Sequence, residues 1–215
     1  MATKDSAKAR RHYGGRTAEE RAGQRRARLL QAALELYGTQ GFTATSIEQL
    51  CSAASISTRS FYEEMGSREN LLIALADHIT GQAAAAALAS LGESAELPTA
   101  ERIARGFRAY LAVTCRTPQS ARVCYIEVVG VSTVVEQWRE GWRARMGALL
   151  QREAERAVLR GAARPRDYSL FAIAVIGAVN SLAQELARGD GDAERALTLD
   201  DICGEITTFV RGGIA

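Results

Sequence analysis

The segment from Gly41 to Leu72, GFTATSIEQLCSAASISTRSFYEEMGSRENLL, constrains this chain more than any other. Helix-start residues recur in it at intervals too short for long helices. Thr45 and Ser46 are each followed three positions on by Glu48 or Gln49. That is the capping-box spacing, in which side chains satisfy the first free backbone N–H groups of a helix. Ile47, Leu50 and Cys51 then fall on one helical face. Ala53-Ala54-Ser55-Ile56 forms a turn, and Ser57 caps a second short helix with Phe61 and Ile56 facing inward. Ser67 caps a third helix, with Leu71, Leu72, Leu75 and Ile79 as its buried stripe.

Two short helices joined in this way predict a helix-turn-helix, whose second helix fits the major groove of B-DNA. The outward residues of that helix are Ser57, Thr58, Arg59, Ser60 and Tyr62. Arg forks onto guanine O6 and N7, while Ser, Thr and Tyr hold phosphates or base edges. Glu63 and Glu64 follow at once and place acid where phosphate would approach.

The spacing of Gly41-Phe42, Thr45-Ser46, Ala53-Ala54-x-Ile56-Ser57, Phe61-Tyr62, Ser67-Arg68-Glu69 and Leu71-Leu72 resembles the TetR family of bacterial transcriptional regulators, over roughly Arg25 to Ile79. Ser55 stands where the family commonly has Gly, Met65 where an aromatic is usual, and Arg68 where Lys is usual. Ser55 then has to carry a left-handed backbone at modest cost. The resemblance implies phosphate contacts at Thr45, Tyr62 and Arg68, with Ser46 beside them. It implies an all-α fold: an N-terminal three-helix DNA-binding domain, then a C-terminal helical domain for ligand binding and dimerisation.

Composition agrees with helix, because alanine is abundant and there are only three prolines. Formal net charge is +2, but nine Lys or Arg against three acids give Met1–Leu30 a charge of +6. A basic arm beside a recognition helix reads as phosphate binding, or as a solvated tail. The predicted organisation is a disordered arm over 1–23, a DNA-binding domain over 24–80 with its helix-turn-helix at 46–65, and a ligand-binding and dimerisation domain over 81–215. The four cysteines, Cys51, Cys115, Cys124 and Cys203, form no CxxC pair and no zinc spacing with His12 or His78. No signal-peptide pattern opens the sequence, and the longest apolar run, Leu170–Val179, is short for a bilayer. The expected location is the cytoplasm, with reduced thiols and no membrane partner.

Beyond the helix-turn-helix, Gln24–Thr39 reads as the first helix, and the helix from Ser67 continues through Ala83–Ala87 as a lever into the second domain. Pro98-Thr99 opens a helix with Ile103, Phe107, Tyr110, Leu111 and Thr114 on one face. Arg122–Val135 has strand propensity but reads as helix, broken at Gly130. Thr133-x-x-Glu136 caps the next helix, with Val134, Trp138, Trp142, Arg145, Met146 and Leu149 as one stripe. The last two helices span Asp167–Ala187 and Leu199–Val210. The small face of the first (Ala174, Gly177, Ala178, Ser181) and the stripe of the second, Ile206 included, are predicted to pair two chains.

Trp138 and Trp142 lie one helical turn apart, and Phe107, Tyr110 and Tyr125 can face them. With Asn180, Glu127 or Arg145 as polar anchors they read as an aromatic pocket for a small apolar ligand, or as plain helical core. No catalytic constellation, cofactor motif or metal set stands out. The reading is a homodimeric regulator of transcription on an inverted-repeat double-stranded operator, a repressor released by a small apolar or aromatic effector. The alternatives are a small helical ligand-binding enzyme and an interaction module without DNA binding.

Overall fold

The computed structural model describes residues 17–189 and 197–214, all in helices, turns and loops with no strand among them. The expected arm falls mainly on residues 1–16, outside the described ones. Its remainder is helical: α1 runs Ala18–Thr39, six residues ahead of the expected start. The reason is local. Thr17 accepts from the Glu20 amide and Glu20 returns a bond to the Thr17 amide, a capping box within the segment read as unstructured.

α2 (Ile47–Ala54) and α3 (Thr58–Met65) follow as two eight-residue helices. The cap of α2 is Ser46 with Gln49, not Thr45. Ser55 ends α2 at φ 51°, ψ 53°, the left-handed conformation that its position in the turn demands. α4 (Arg68–Glu93) is the long helix from Ser67, and it leaves the head to pack along α5 (Thr99–Thr114). α6 (Pro118–Arg122) starts with Pro in its first turn. It runs into a π-helical segment, Val123–Glu127, and then a turn at Val128–Ser132. The expected helix over Arg122–Val135 is therefore interrupted.

α7 (Thr133–Leu159) is capped by Ser132, one residue before the expected Thr133. The frame of its stripe shifts accordingly: Val135 is buried and Val134 is exposed. α8 (Ser169–Arg188) and α9 (Leu199–Ile214) complete the described elements. By length and mean hydropathy (1.4 and 1.6), α4 and α8 could each cross a membrane. Here α4 packs on α1 and α5, and α8 on α7 and α9.

Two cores result. One joins Phe107 and Leu111 of α5 to Val175 and Val179 of α8 and to Ile202, Ile206 and Val210 of α9. Ile206 is thus buried within its own chain and is not a seam residue, contrary to expectation. The other core surrounds Tyr37, Leu50, Phe61 and Leu72, and draws Val123, Val128 and Val135 from beyond residue 80. Each large side chain fully buried in this way stabilises the fold by about 1.5–3 kcal/mol. Gly38 lets α1 approach α6 closely, because a Cβ there would lie 2.4 Å from Cβ of Gln119.

Ser55 is the only non-glycine residue with positive φ among those described. A Ser55→Gly variant should gain about 0.5–1 kcal/mol, because relief of the left-handed strain exceeds the extra chain entropy of glycine. Ser55→Val should lose stability, since a β-branched residue fits that conformation worst. Urea midpoints measure both, and a Val variant as stable as wild type would refute the strain.

Candidate nucleic-acid interface and ligand cavity

The face of α3 that leaves the core is Thr58, Arg59, Tyr62 and Glu63, while Phe61 and Met65 anchor the opposite face. The Arg59 side chain is 88% exposed and bonded to Glu63 at 2.8 Å. Tyr62 stands half-exposed with its ring edge-on to Phe61. Ser57 caps α3 and donates to Ser60 Oγ at 3.0 Å, so these two hydroxyls first serve the helix start. Ser46 does the same for α2. The acids at the end of α3 are not free to repel phosphate as a pair. Glu63 is held by Arg59, and Glu64 is turned against α1, where Arg25 meets it at 2.5 Å.

Two expected phosphate contacts are turned inward. Thr45 is fully buried: its hydroxyl donates to the Gly41 carbonyl at 2.7 Å and accepts from Gln40 Nε2 at 3.1 Å. Arg68 stacks over the Phe42 ring at 4.8 Å and donates to the carbonyls of Phe42 and Thr45. Both residues brace the turn that aims α2 and α3. A residue type at a family position could not reveal this, because the turn's unpaired carbonyls lie within reach only once α4 folds back beside it.

Glu127 has the same kind of role. It was a candidate anchor for the ligand, but its carboxylate leaves the cavity and enters the head. Oε2 accepts from the Phe42 amide at 2.7 Å and Oε1 from Arg122 Nε at 2.7 Å. Arg122 in turn donates to the Thr39 carbonyl at 2.7 Å. Gly41, at φ +92°, passes so close that a Cβ would lie 3.1 Å from both Arg122 Nη2 and Glu127 Oε2.

In the second domain, Phe107, Tyr110, Tyr125, Trp142 and Asn180 surround one small space, and Trp138 joins all but Phe107 around its neighbour. Free volumes are about 20 and 30 Å³ respectively, room for little more than a water each. Trp142 donates to the Tyr110 hydroxyl at 2.9 Å, and the Tyr125 and Thr114 hydroxyls share a bond of 2.8 Å. Burial pushes the hydroxyls of Tyr110 and Tyr125 and the thiol of Cys124 well above their usual ranges, so all three stay protonated and neutral. Asn180 donates through its side-chain amide to the Ile176 carbonyl one turn back at 2.8 Å. Trp138 bonds Asp77 on α4 at 3.2 Å, and Arg145 lies over the outer face of the Trp142 ring at 4.9 Å. Arg139, Arg143 and Gln184 are polar lining residues that the helical pattern did not single out.

A further cleft lies between Leu88 and Leu91 of α4, Phe107 and Tyr110 of α5, and Met146 and Glu153 of α7. Among the described residues no group of three His, Cys, Asp or Glu is placed to hold a metal.

An exposed reading helix on a three-helix head, joined by a long helix to an all-helical body with an aromatic interior, defines the class of two-part helix-turn-helix regulators. Within that class, residues 29–75 match the family model of the tetR family of bacterial regulatory proteins. Most of the chain shares the fold of solved TetR-like regulators. One from Rhodococcus sp. RHA1 is 23% identical with a TM-score of 0.66, covering 88% of this chain and 94% of that one. Another from Syntrophomonas wolfei is 19% identical with a TM-score of 0.71, covering 88% and 94%. FadR from Bacillus subtilis, solved in complex with stearoyl-CoA, is 14% identical with a TM-score of 0.72, covering 88% and 99%. No curated protein matches the chain in sequence.

Replacing Glu127 by Ala leaves the Phe42 amide and Arg122 without their shared acceptor. Stability should fall by about 2 kcal/mol, the usual cost of losing hydrogen bonds to a charged group. The Phe42 amide should also exchange its hydrogen at least about tenfold faster. Unchanged exchange at Phe42 would show that the carboxylate is not what holds the turn.

Proposed function

We propose that this chain is a homodimeric, sequence-specific DNA-binding regulator, a repressor released when a small, largely apolar molecule enters the second domain. The observation that carries this is the exposed face of α3, where Thr58, Arg59 and Tyr62 stand clear on a helix whose other side is locked into the head's core. It acts in the cytoplasm, on inverted-repeat operators. The hint toward a module that had lost DNA binding came from Glu63 and Glu64, and both acids are ion-paired. An enzyme reading has no comparable observation behind it.

The seam between protomers is the outer face of α8 and α9. Leu170 (78% exposed), Ile173 (67%) and Phe209 (43%) stand out there, and Ala174 and Gly177 allow close approach. A two-fold pair of these helices makes a four-helix interface. It spaces two copies of α3 about 34 Å apart, or at a multiple of one DNA turn.

Switching rests on the π-helical segment. Within five residues it carries Tyr125 in the cavity wall, Val123 in the head's core and Glu127 on the Phe42 amide. A ligand that displaces Tyr125 or separates Trp142 from Tyr110 moves this segment, and with it the turn that orients α3. The α4 lever, tied to α7 through Asp77 and Trp138, moves with it. Ligand and operator then oppose each other by the same factor in both directions. The stearoyl-CoA complex of the B. subtilis regulator supports an apolar effector on this fold.

Three measurements test the reading. Arg59→Ala should cost about 1–3 kcal/mol of specific binding and relax preference at one base pair per half-site. A gel shift with unchanged specificity would remove Arg59 from base reading. Ile173→Glu should yield monomers in sedimentation, whereas Ile206→Glu should unfold the chain instead of splitting a dimer. A monomeric, folded Ile206→Glu variant would return the seam to that residue. Trp142→Ala should weaken effector-driven release of operator by about tenfold, and normal release would place the pocket elsewhere.

A further inference from the structure

Glu153 of α7 is the most deeply buried carboxylate among the described residues, with its side chain 6% exposed. Its partner Arg102 on α5 is equally buried, at 5%. The pair is incomplete. Glu153 Oε1 receives Arg156 Nη1 at 2.7 Å, but Oε2, 2.9 Å from Arg102 Nη1, lies off the line of its N–H and accepts no hydrogen bond. Arg102 donates through Nη2 to the Leu91 carbonyl at 3.2 Å, while its Nε–H has no acceptor. One buried acceptor and one buried donor on the same ion pair thus stand open, an arrangement that natural interiors rarely leave. Glu153 also lines the cleft between α4, α5 and α7, whose other walls are apolar: Leu88, Leu91, Ile103, Phe107, Met146 and Leu150. The cleft holds about 40 Å³ of free space. Its inner end is formed by Phe107, Tyr110 and Met146, which also line the aromatic cavity.

We infer that this cleft is the entrance to the effector site, and that Glu153 with Arg102 reads the effector's head group: a neutral group that both donates and accepts, a hydroxyl or a primary amide, on an unbranched apolar tail. The inference rests on the proposal that an apolar effector enters the second domain. The donor of such a group satisfies Glu153 Oε2, and its acceptor takes Arg102 Nε–H. A carboxylate cannot do this, because it brings a like charge against Glu153 and no proton to donate. A quaternary ammonium has no N–H at all. A primary ammonium would have to compete with Arg102 and Arg156, whose two positive charges already exceed the one charge of Glu153. The tail runs inward between Leu91 and Phe107 toward Tyr110, whose bond to Trp142 it disturbs. Sites built around buried hydrogen-bonding groups reject analogues that leave those groups unpaired far more strongly than apolar pockets reject a missing methylene.

The probes are hexanol, hexanamide, hexanoate and hexyltrimethylammonium, titrated into the full-length protein by calorimetry with tryptophan fluorescence in parallel. Hexanol and hexanamide should bind one site per chain at least about tenfold more tightly than the two charged probes. In the double variant Arg102→Leu/Glu153→Leu, which replaces the whole pair by apolar groups and so leaves no lone buried charge, that preference should shrink to less than about threefold. Leu88→Trp, at the half-exposed mouth of the cleft, should weaken hexanol by about tenfold without disturbing the fold. The Leu88 variant decides the matter if the double variant does not fold. Hexanoate binding as tightly as hexanol, hexanol binding unaltered by Leu88→Trp, or no binding of hexanol to wild type would each overturn the assignment. None of these titrations contains DNA. Failure of the regulator reading is seen separately, as the absence of specific operator binding by the wild-type chain.

Discussion

The turn that leads from α1 into α2 is held by a carboxylate from far along the chain, that of Glu127. Glu127 holds the Phe42 amide and Arg122, and Arg122 holds the last turn of α1 through the Thr39 carbonyl. These bonds fix the chain where it leaves α1 and turns into α2. A charge-assisted bond of this kind is worth more than a neutral one, and it is partly shielded from water, with the Glu127 side chain 11% exposed. The Gly41 backbone, the buried Thr45 hydroxyl and the Arg68 clamp are arranged around the same turn. The direction in which α3 faces is therefore set by a few polar contacts that join the two halves of the chain.

The body has the opposite character. Its core is apolar and continuous through α5, α8 and α9, and its polar groups sit at the edges of small spaces where they bond one another: Trp142 to Tyr110, Tyr125 to Thr114, Asn180 to its own helix. Such bonds can be exchanged for bonds to a guest at little net cost, because a polar group that loses one partner and gains another pays no lasting desolvation. A head braced by polar contacts, hung on a body with exchangeable internal bonds, fits the proposed ligand-controlled switch.

Much of this was legible in the residues, and the reasons are physical. Caps made by Ser46, Ser57 and Ser67 act within one helical turn, so their spacing in sequence is their spacing in space. The inward Phe61 and the stripe of α5 follow from local periodicity in the same way, while the left-handed Ser55 follows from the resemblance to a family that commonly has Gly there. The illegible parts depend on partners distant in sequence. Thr45 and Arg68 look like surface donors until the turn's carbonyls come within reach of them. Glu127 looks like a polar anchor because it lies close in sequence to Tyr125 of the aromatic lining, but residues two apart in a helix do not share a face, and Glu127 points to the Phe42 amide instead. Ile206 belongs to a clean stripe, but a stripe shows only that something covers it, and here α5 and α8 cover it. The start of α1 was readable from Thr17 and Glu20, yet the basic composition of that stretch outweighed its capping pattern.

The three valines that the head's core borrows, Val123, Val128 and Val135, bear on modularity. Sequence similarity to a family is concentrated in residues 29–75, which suggests a cassette that could be cut out and joined to another body. Physically the cassette is open on one side. Severed after α4's first turns, it would expose the surface those valines cover, leave the Phe42 amide in search of an acceptor, and lose the Gln119 backbone against which Gly38 packs. A chimera of this chain joined only at the long helix would keep the Thr45 and Arg68 braces on that turn but lose the Glu127 and Arg122 bonds, so the segment from α6 to the start of α7 has to travel with the head.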